Sequence, residues 1–158
     1  MLIEFQNNIT FESLFLWANF GILPFWLMII LIPNLKITQI FANSIIIPVI
    51  LALLYSYVFY LGFITDKTFI FESFNLYTGL DSLYTIFSNE IFLLLFWFHF
   101  LALNFFLGSW ISKDALKFNI SKRIVFFPLV FVYFTGPLGL FLYWLIRIFY
   151  AKKISLYD

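Results

Sequence analysis

The chain has 158 residues, of which 64% are hydrophobic, 25% aromatic and only 11% charged, with a formal net charge of +1. Its mean hydropathy of +1.02 lies far from the usage of water-soluble domains and leaves no basic face for nucleic acid. The absence of cysteine removes disulfides, thiolate metal sites and cysteine nucleophiles. Phe, Ile, Leu, Asn and Tyr are abundant while Arg occurs only at 123 and 147, a usage that resembles the product of an AT-rich genome, organellar or bacterial.

Residues 1–10 lack both the Arg- and Ser-rich character of a transit peptide and the basic start of a signal peptide. Either the chain is made where it works or its first helix directs insertion. That first helix is expected over residues 13–32, kinked at Pro24 and stopped by Pro33-Asn34. The second covers residues 44–64, with Pro48 in its first turn and Asp66-Lys67 closing it. In the following connection Leu80, Leu83, Tyr84 and Phe87 share one helical face, and residues 79–87 read as a short interfacial helix. The third span covers residues 89–111. The fourth covers residues 124–147 and is interrupted by Gly136-Pro137-Leu138-Gly139, which bends the helix or lets another backbone come close.

Each predicted span has about 20 residues or more, enough for a helix to cross ~30 Å of hydrocarbon. The expected fold is therefore all-α: a polytopic membrane protein with four transmembrane helices in one small bundle over residues 1–158 and an interfacial helix before the third. Lys36, Lys113, Lys117, Lys122 and Arg123 fall on one side of such a bundle; Lys67, Lys152 and Lys153, with Arg147, fall on the other. The positive-inside rule then places both termini on the outer or lumenal face.

The third span holds the chemistry. Residues seven apart on a helix differ by only ~20°, so Glu90, Trp97, Asn104 and Ile111 form one stripe, with Leu101 and Gly108 beside it. His99, the sole histidine, lies on another stripe with Phe92, Leu95, Phe106 and Trp110. Asn104 can bond a neighbouring helix that Gly108 lets approach, or bind the polar end of an apolar ligand. His99 can bond a carbonyl or hydroxyl on another helix, act as general acid or base, or ligate the magnesium of a chlorophyll. A single histidine without cysteine excludes bis-histidine haem within the chain and a zinc site of the deaminase or metalloprotease kind, so no metal centre is expected. Glu90 reads as an early-turn carboxylate at the start of the span. Asp114, between Lys113 and Lys117, reads as part of a solvated loop, and Arg147 as snorkelling to headgroups.

Trp97-Phe98-His99, then Leu107-Gly108-Ser109-Trp110-Ile111, Lys113-Asp114, Gly136-Pro137-Leu138-Gly139-Leu140 and Arg147 together resemble the abscisic-acid-deficient-four-like family. Leu23-Pro24-Phe25-Trp26-Leu27-Met28 and Pro33 with Thr38 are similar to that family's first helix. The family comprises small four-span membrane proteins of plants, algae and bacteria, and its plant members act in plastids in the step from violaxanthin to neoxanthin. The resemblance implies an integral membrane protein of a plastid (thylakoid or envelope) or of a bacterial photosynthetic or inner membrane. It also implies an epoxy-carotenoid or related pigment as ligand. Residues carried over on this basis are His99 as the catalytic group and Trp97, Asn104, Gly108, Trp110, Asp114, Gly136 and Pro137 as ligand-binding groups.

The family pattern carries Asp where this chain has Asn104, and Arg where it has Ser109, which removes a proton-transferring carboxylate and its partner. Two readings follow. In one, an enzyme opens an epoxide and rearranges it to an allene, with His99 moving the proton and aromatic side chains walling the polyene. In the other, a non-catalytic accessory subunit packs in a larger photosynthetic or respiratory membrane complex and holds lipid, carotenoid or chlorophyll at the interface. Expected partners are membrane lipid, an apolar pigment and other membrane subunits, with no nucleic acid.

Overall fold

The computed structural model describes residues 10–65 and 73–152; Asp66, Lys67, Lys153 and the first nine residues lie outside them. The elements in chain order are α1 (Phe11–Leu31), a π-helical turn (Thr38–Ala42), α2 (Ile46–Thr65), a 3-10 turn (Phe74–Tyr77), α3 (Leu80–Phe87), α4 (Glu90–Lys117), α5 (Lys122–Thr135) and α6 (Pro137–Ala151).

Short-range chemistry sets the helix ends. The Thr10 hydroxyl oxygen accepts from the Ser13 amide at 3.1 Å, starting α1. Asn89 Oδ1 accepts from the amides of Ile91 and Phe92 at 2.9 and 3.2 Å, starting α4. At the far end of α1 the Thr38 hydroxyl donates to the Ile32 carbonyl at 2.8 Å, satisfying one of the acceptors that a helix C-terminus leaves open. Asn119 adopts a left-handed φ of 53°, and the Ile120 amide reaches back to the Ala115 carbonyl at 2.9 Å. That is the Schellman closure of α4.

Three helical stretches, Phe11–Leu31, Thr38–Thr65 and Glu90–Lys117, are long and apolar enough to cross a membrane. Only 28%, 22% and 39% of their most apolar windows is buried within the protein, and side chains such as Trp17, Phe20, Leu27 and Leu53 face outward. Apolar surface on this scale is covered by lipid in a polytopic helical membrane protein. The interfacial helix is present as α3: none of its residues is buried, and Leu80 and Tyr84 are well exposed on it.

The fourth predicted span is not a single bent helix. It is two helices of 14 and 15 residues that fold back on one another. Gly136 takes a φ of +62° and Pro137 begins the second helix, so the chain reverses between them. A Cβ at Gly139 would meet the backbone nitrogen of Val132 and lie 2.6 Å from the carbonyl oxygen of Pro128. The two backbones are therefore in contact where they cross, as only glycine permits. At about 1.5 Å per residue neither helix reaches ~30 Å on its own.

The described residues fall into two compact units, one drawn from residues 10–21, 50–65 and 73–101, the other from residues 22–49 and 102–152. The first packs around Leu14, Ala18, Val58, Leu94, Leu95 and Phe98. The second packs around Trp26, Ile29, Phe105, Ile111, Val132 and Tyr143.

Candidate functional site

One buried face of α4 in the second unit runs through Asn104. Asn104, Gly108, Ile111 and Ala115 recur at helical spacing, and Asn104, Ile111 and Ala115 are buried. Gly108 makes a slot for an aromatic ring, because a Cβ there would stand 2.6 Å from the Trp26 indole. Trp26 fills that slot and meets Phe105 and Tyr133 edge-on, both at 5.4 Å between ring centres. This anchors the end of α1 to α4 and α5.

Beside the lower end of that face lies a buried ion pair. The Arg147 Nε–H donates to Asp114 Oδ2 at 2.7 Å, and the Tyr143 hydroxyl donates to the same oxygen at 2.6 Å. Arg147 Nη2 stands 3.5 Å from Oδ1, and the guanidinium lies 4.8 Å from the centre of the Phe118 ring, within cation–π range. Trp110, one turn before Asp114, packs its ring against Tyr143 at 5.8 Å. Both Asp114 and Arg147 are at least nine-tenths buried. Two expectations are thereby corrected. Asp114 is not in a solvated loop, because α4 continues to Lys117. Arg147 does not snorkel, because its charge is met inside the protein by Asp114.

The upper end of the face is different. Asn104 is 7% exposed, and its Nδ2 has no hydrogen-bond partner among the described residues. Its Oδ1 lies against Gly136, where a Cβ would collide with it. The apex of the α5–α6 hairpin therefore sits on Asn104, ten residues or roughly 15 Å up α4 from Asp114. A second buried amide, Asn43, donates to the Ser112 hydroxyl at 3.3 Å and leaves its Oδ1 unpaired among the described residues. Ser109 is also buried.

The structure thus brings Asn104, Gly108, Trp110, Asp114, Gly136 and Pro137 together in one unit. Trp97 and His99 belong to the other. There the Trp97 Nε1–H donates to Asn19 Oδ1 at 3.2 Å. Its ring lies 5.5 Å from that of Phe15, on an open cleft of about 820 Å3 bordered also by Glu12 and Glu90. His99 is exposed on the surface of α4, its ring 6.5 Å from that of Tyr55. No group of three or more His, Cys, Asp or Glu able to hold a metal occurs among the described residues. Tyr143 was not singled out from the sequence, and Trp26 entered only within the stretch similar to the family's first helix. Asp114 stands between Lys113 and Lys117, so the sequence offered no signal that its partner is Arg147.

Fold and site together define a polytopic α-helical membrane protein whose last apolar stretch is a helical hairpin clamped to a long span by a buried ion pair. The sequence profile of the ABA DEFICIENT 4-like family matches residues 13–143, and the chain belongs to that family. Over 113 residues it is 27% identical to Protein ABA DEFICIENT 4, chloroplastic, from Arabidopsis thaliana, covering 71% of this chain and 51% of that protein. The chain thus spans about half the length of this curated relative. No solved structure matches it.

Proposed function

We propose that the chain binds an oxygenated polyene, an epoxy-carotenoid or close relative, in a plastid membrane, with Asn104 donating a hydrogen bond to the ligand's oxygen. The observation that carries this reading is the buried Asn104 Nδ2, which has no hydrogen-bond partner among the described residues. An unmet buried donor costs about 1–3 kcal/mol, and a ligand oxygen relieves that cost on binding. The setting agrees: irregular backbone at membrane depth is found where it is buried in protein or lines a cavity, and the Gly136 turn lies against this amide. Trp26, Phe105 and Tyr133 form an aromatic cluster in the same unit. The name of the chloroplast relative and the family resemblance supply the pigment class and the compartment.

Asp114 has a supporting part in this reading. Its carboxylate is engaged by Tyr143 and Arg147, so it holds the hairpin whose apex meets Asn104. Titration of violaxanthin into the detergent-purified protein tests the proposal: a saturable shift of the visible bands supports it, and unshifted bands at all ratios refute it.

A second reading, the accessory subunit, is favoured by one observation. His99 is an imidazole exposed on an apolar span, whereas ionisable groups in spans ordinarily meet protein or water. Gentle native purification discriminates here, since co-elution with a larger assembly at fixed stoichiometry is expected on this reading and an isolated chain is not. Catalysis by His99 is tested apart from both: His99→Ala that inserts normally and turns over as before removes the histidine from any reaction.

A further inference from the structure

The hairpin changes where the cations lie. Gly136 meets Asn104, Tyr143 meets Trp110 and Asp114, and Arg147 meets Asp114 and Phe118, so α6 runs alongside α4 in the same direction. Lys152 follows Arg147 by five residues, about 7.5 Å further on. It therefore comes to the end of the unit that holds Lys113 and Lys117 rather than to the opposite side, as expected from a single fourth span. Pro33, Asn34, Asn119, Ser121 and Lys122 border one cavity of about 330 Å3, which brings Lys36, two residues after Asn34, to that end as well. Lys36, Lys113, Lys117, Lys122, Arg123 and Lys152 of this unit thus gather at one end.

On the flank of that end, beside the cavity, runs an open groove of about 320 Å3 between the last turn of α1 and the first turns of α5. Ile30, Leu31, Phe126 and Phe127 form its walls, and Lys122 and Arg123 stand at its head. The two aromatic residues follow the two cations by four positions, so they share a helix face one turn, about 6 Å, deeper. No acidic side chain lines the groove, and neither cation has an acidic partner among the described residues. Leu31, Phe126 and Phe127 are exposed along its length.

We propose that this groove is a binding site for a single anionic membrane lipid, its phosphate or sulfonate headgroup held between Lys122 and Arg123 and one acyl chain lying on Phe126 and Phe127. Charge complementarity selects the occupant. A pair of cations above an apolar trough matches an anionic amphiphile, whereas a neutral lipid or a polyene leaves both charges unanswered. The site is separate from Asn104, so this proposal and the pigment proposal stand or fall independently.

Native mass spectrometry of the detergent-purified full chain, with phosphatidylglycerol or phosphatidylcholine added in small molar excess, tests it. The expected result is one retained phosphatidylglycerol per chain, little phosphatidylcholine, and at least tenfold less retention in the Lys122→Gln/Arg123→Gln double variant. Lys36→Gln/Lys152→Gln removes the same charge from the same end outside the groove and is expected to retain the lipid. Phe127→Ser is expected to weaken retention with the cations intact, and glycerol 3-phosphate without acyl chains is expected not to displace the lipid. Equal loss in the two double variants, or equal retention of the two lipids, overturns the proposal in favour of general attraction to the membrane surface. Displacement by glycerol 3-phosphate at comparable concentration makes the site one for a soluble phosphate and overturns it too.

Discussion

The two units treat their polar side chains in opposite ways. Around α4 beyond Ala102, Asn104, Ser109, Ser112 and Asp114 are all buried, and Asp114 is tied to Arg147 and Tyr143. In the unit before that point His99 and Glu90 are exposed, and Trp97 makes a part-buried neutral bond to Asn19. One continuous helix supplies both sets. The difference comes from what packs on it: a folded-back helix pair with its own charge offers buried partners, and lone apolar helices do not. Burying polar groups is costly unless they are met, so loss of the Asp114 contacts is expensive, whereas the exposed His99 and Glu90 can be changed at little cost.

That contrast breaks most sharply at the ion pair. Asp114→Leu strands a buried guanidinium and a tyrosine hydroxyl, and the expected loss is about 3–5 kcal/mol, read as a lower denaturation midpoint in mixed micelles. Asp114→Leu/Arg147→Leu is expected to recover much of that loss, because no charge is left unmet. If the double variant is no better than the single, the clamp is not electrostatic.

Glycines sharpen the comparison at a smaller scale. Gly139→Ala forces a methyl into the backbone of Val132 and Pro128 and is expected to cost about 1–3 kcal/mol. Gly21→Ala, in the helix of the other unit with nothing within 4 Å of the added atom, is expected to gain about 0.5–1 kcal/mol from helix propensity. Thermal denaturation of the two variants in one detergent should therefore move in opposite directions. Smallest of all, His99→Leu is expected to alter stability by no more than about 0.5 kcal/mol, since its imidazole is exposed. A large loss would place a partner on that ring.

Much of this was legible in the residues. The end of α1 before Pro33 and the short α3 follow from local chemistry, and the seven-residue repeat puts Asn104 and Ile111 on one stripe with Gly108 beside it. The hairpin did not, because Gly136-Pro137 serves a gentle bend and a full reversal equally well. Only the packing of Gly139 on α5 decides between them. The partnership of Asp114 with Arg147 depends on that reversal, so both residues read as surface charges until the chain is folded back. The direction of His99 was illegible for another reason: α4 is apolar on every side, and periodicity alone cannot tell its inward from its outward faces.

The most direct test of the account compares the chain with its Asn104→Leu variant, measuring violaxanthin binding by visible absorption and stability in the same micelles. Removing an unmet buried amide is expected to leave stability unchanged or raised by up to about 1 kcal/mol, while binding weakens by about tenfold for the lost hydrogen bond. Weaker binding by a protein of equal or greater stability is the predicted result. A variant that binds as tightly as the original, or one that simply unfolds, would contradict the assignment of Asn104 as the ligand's donor.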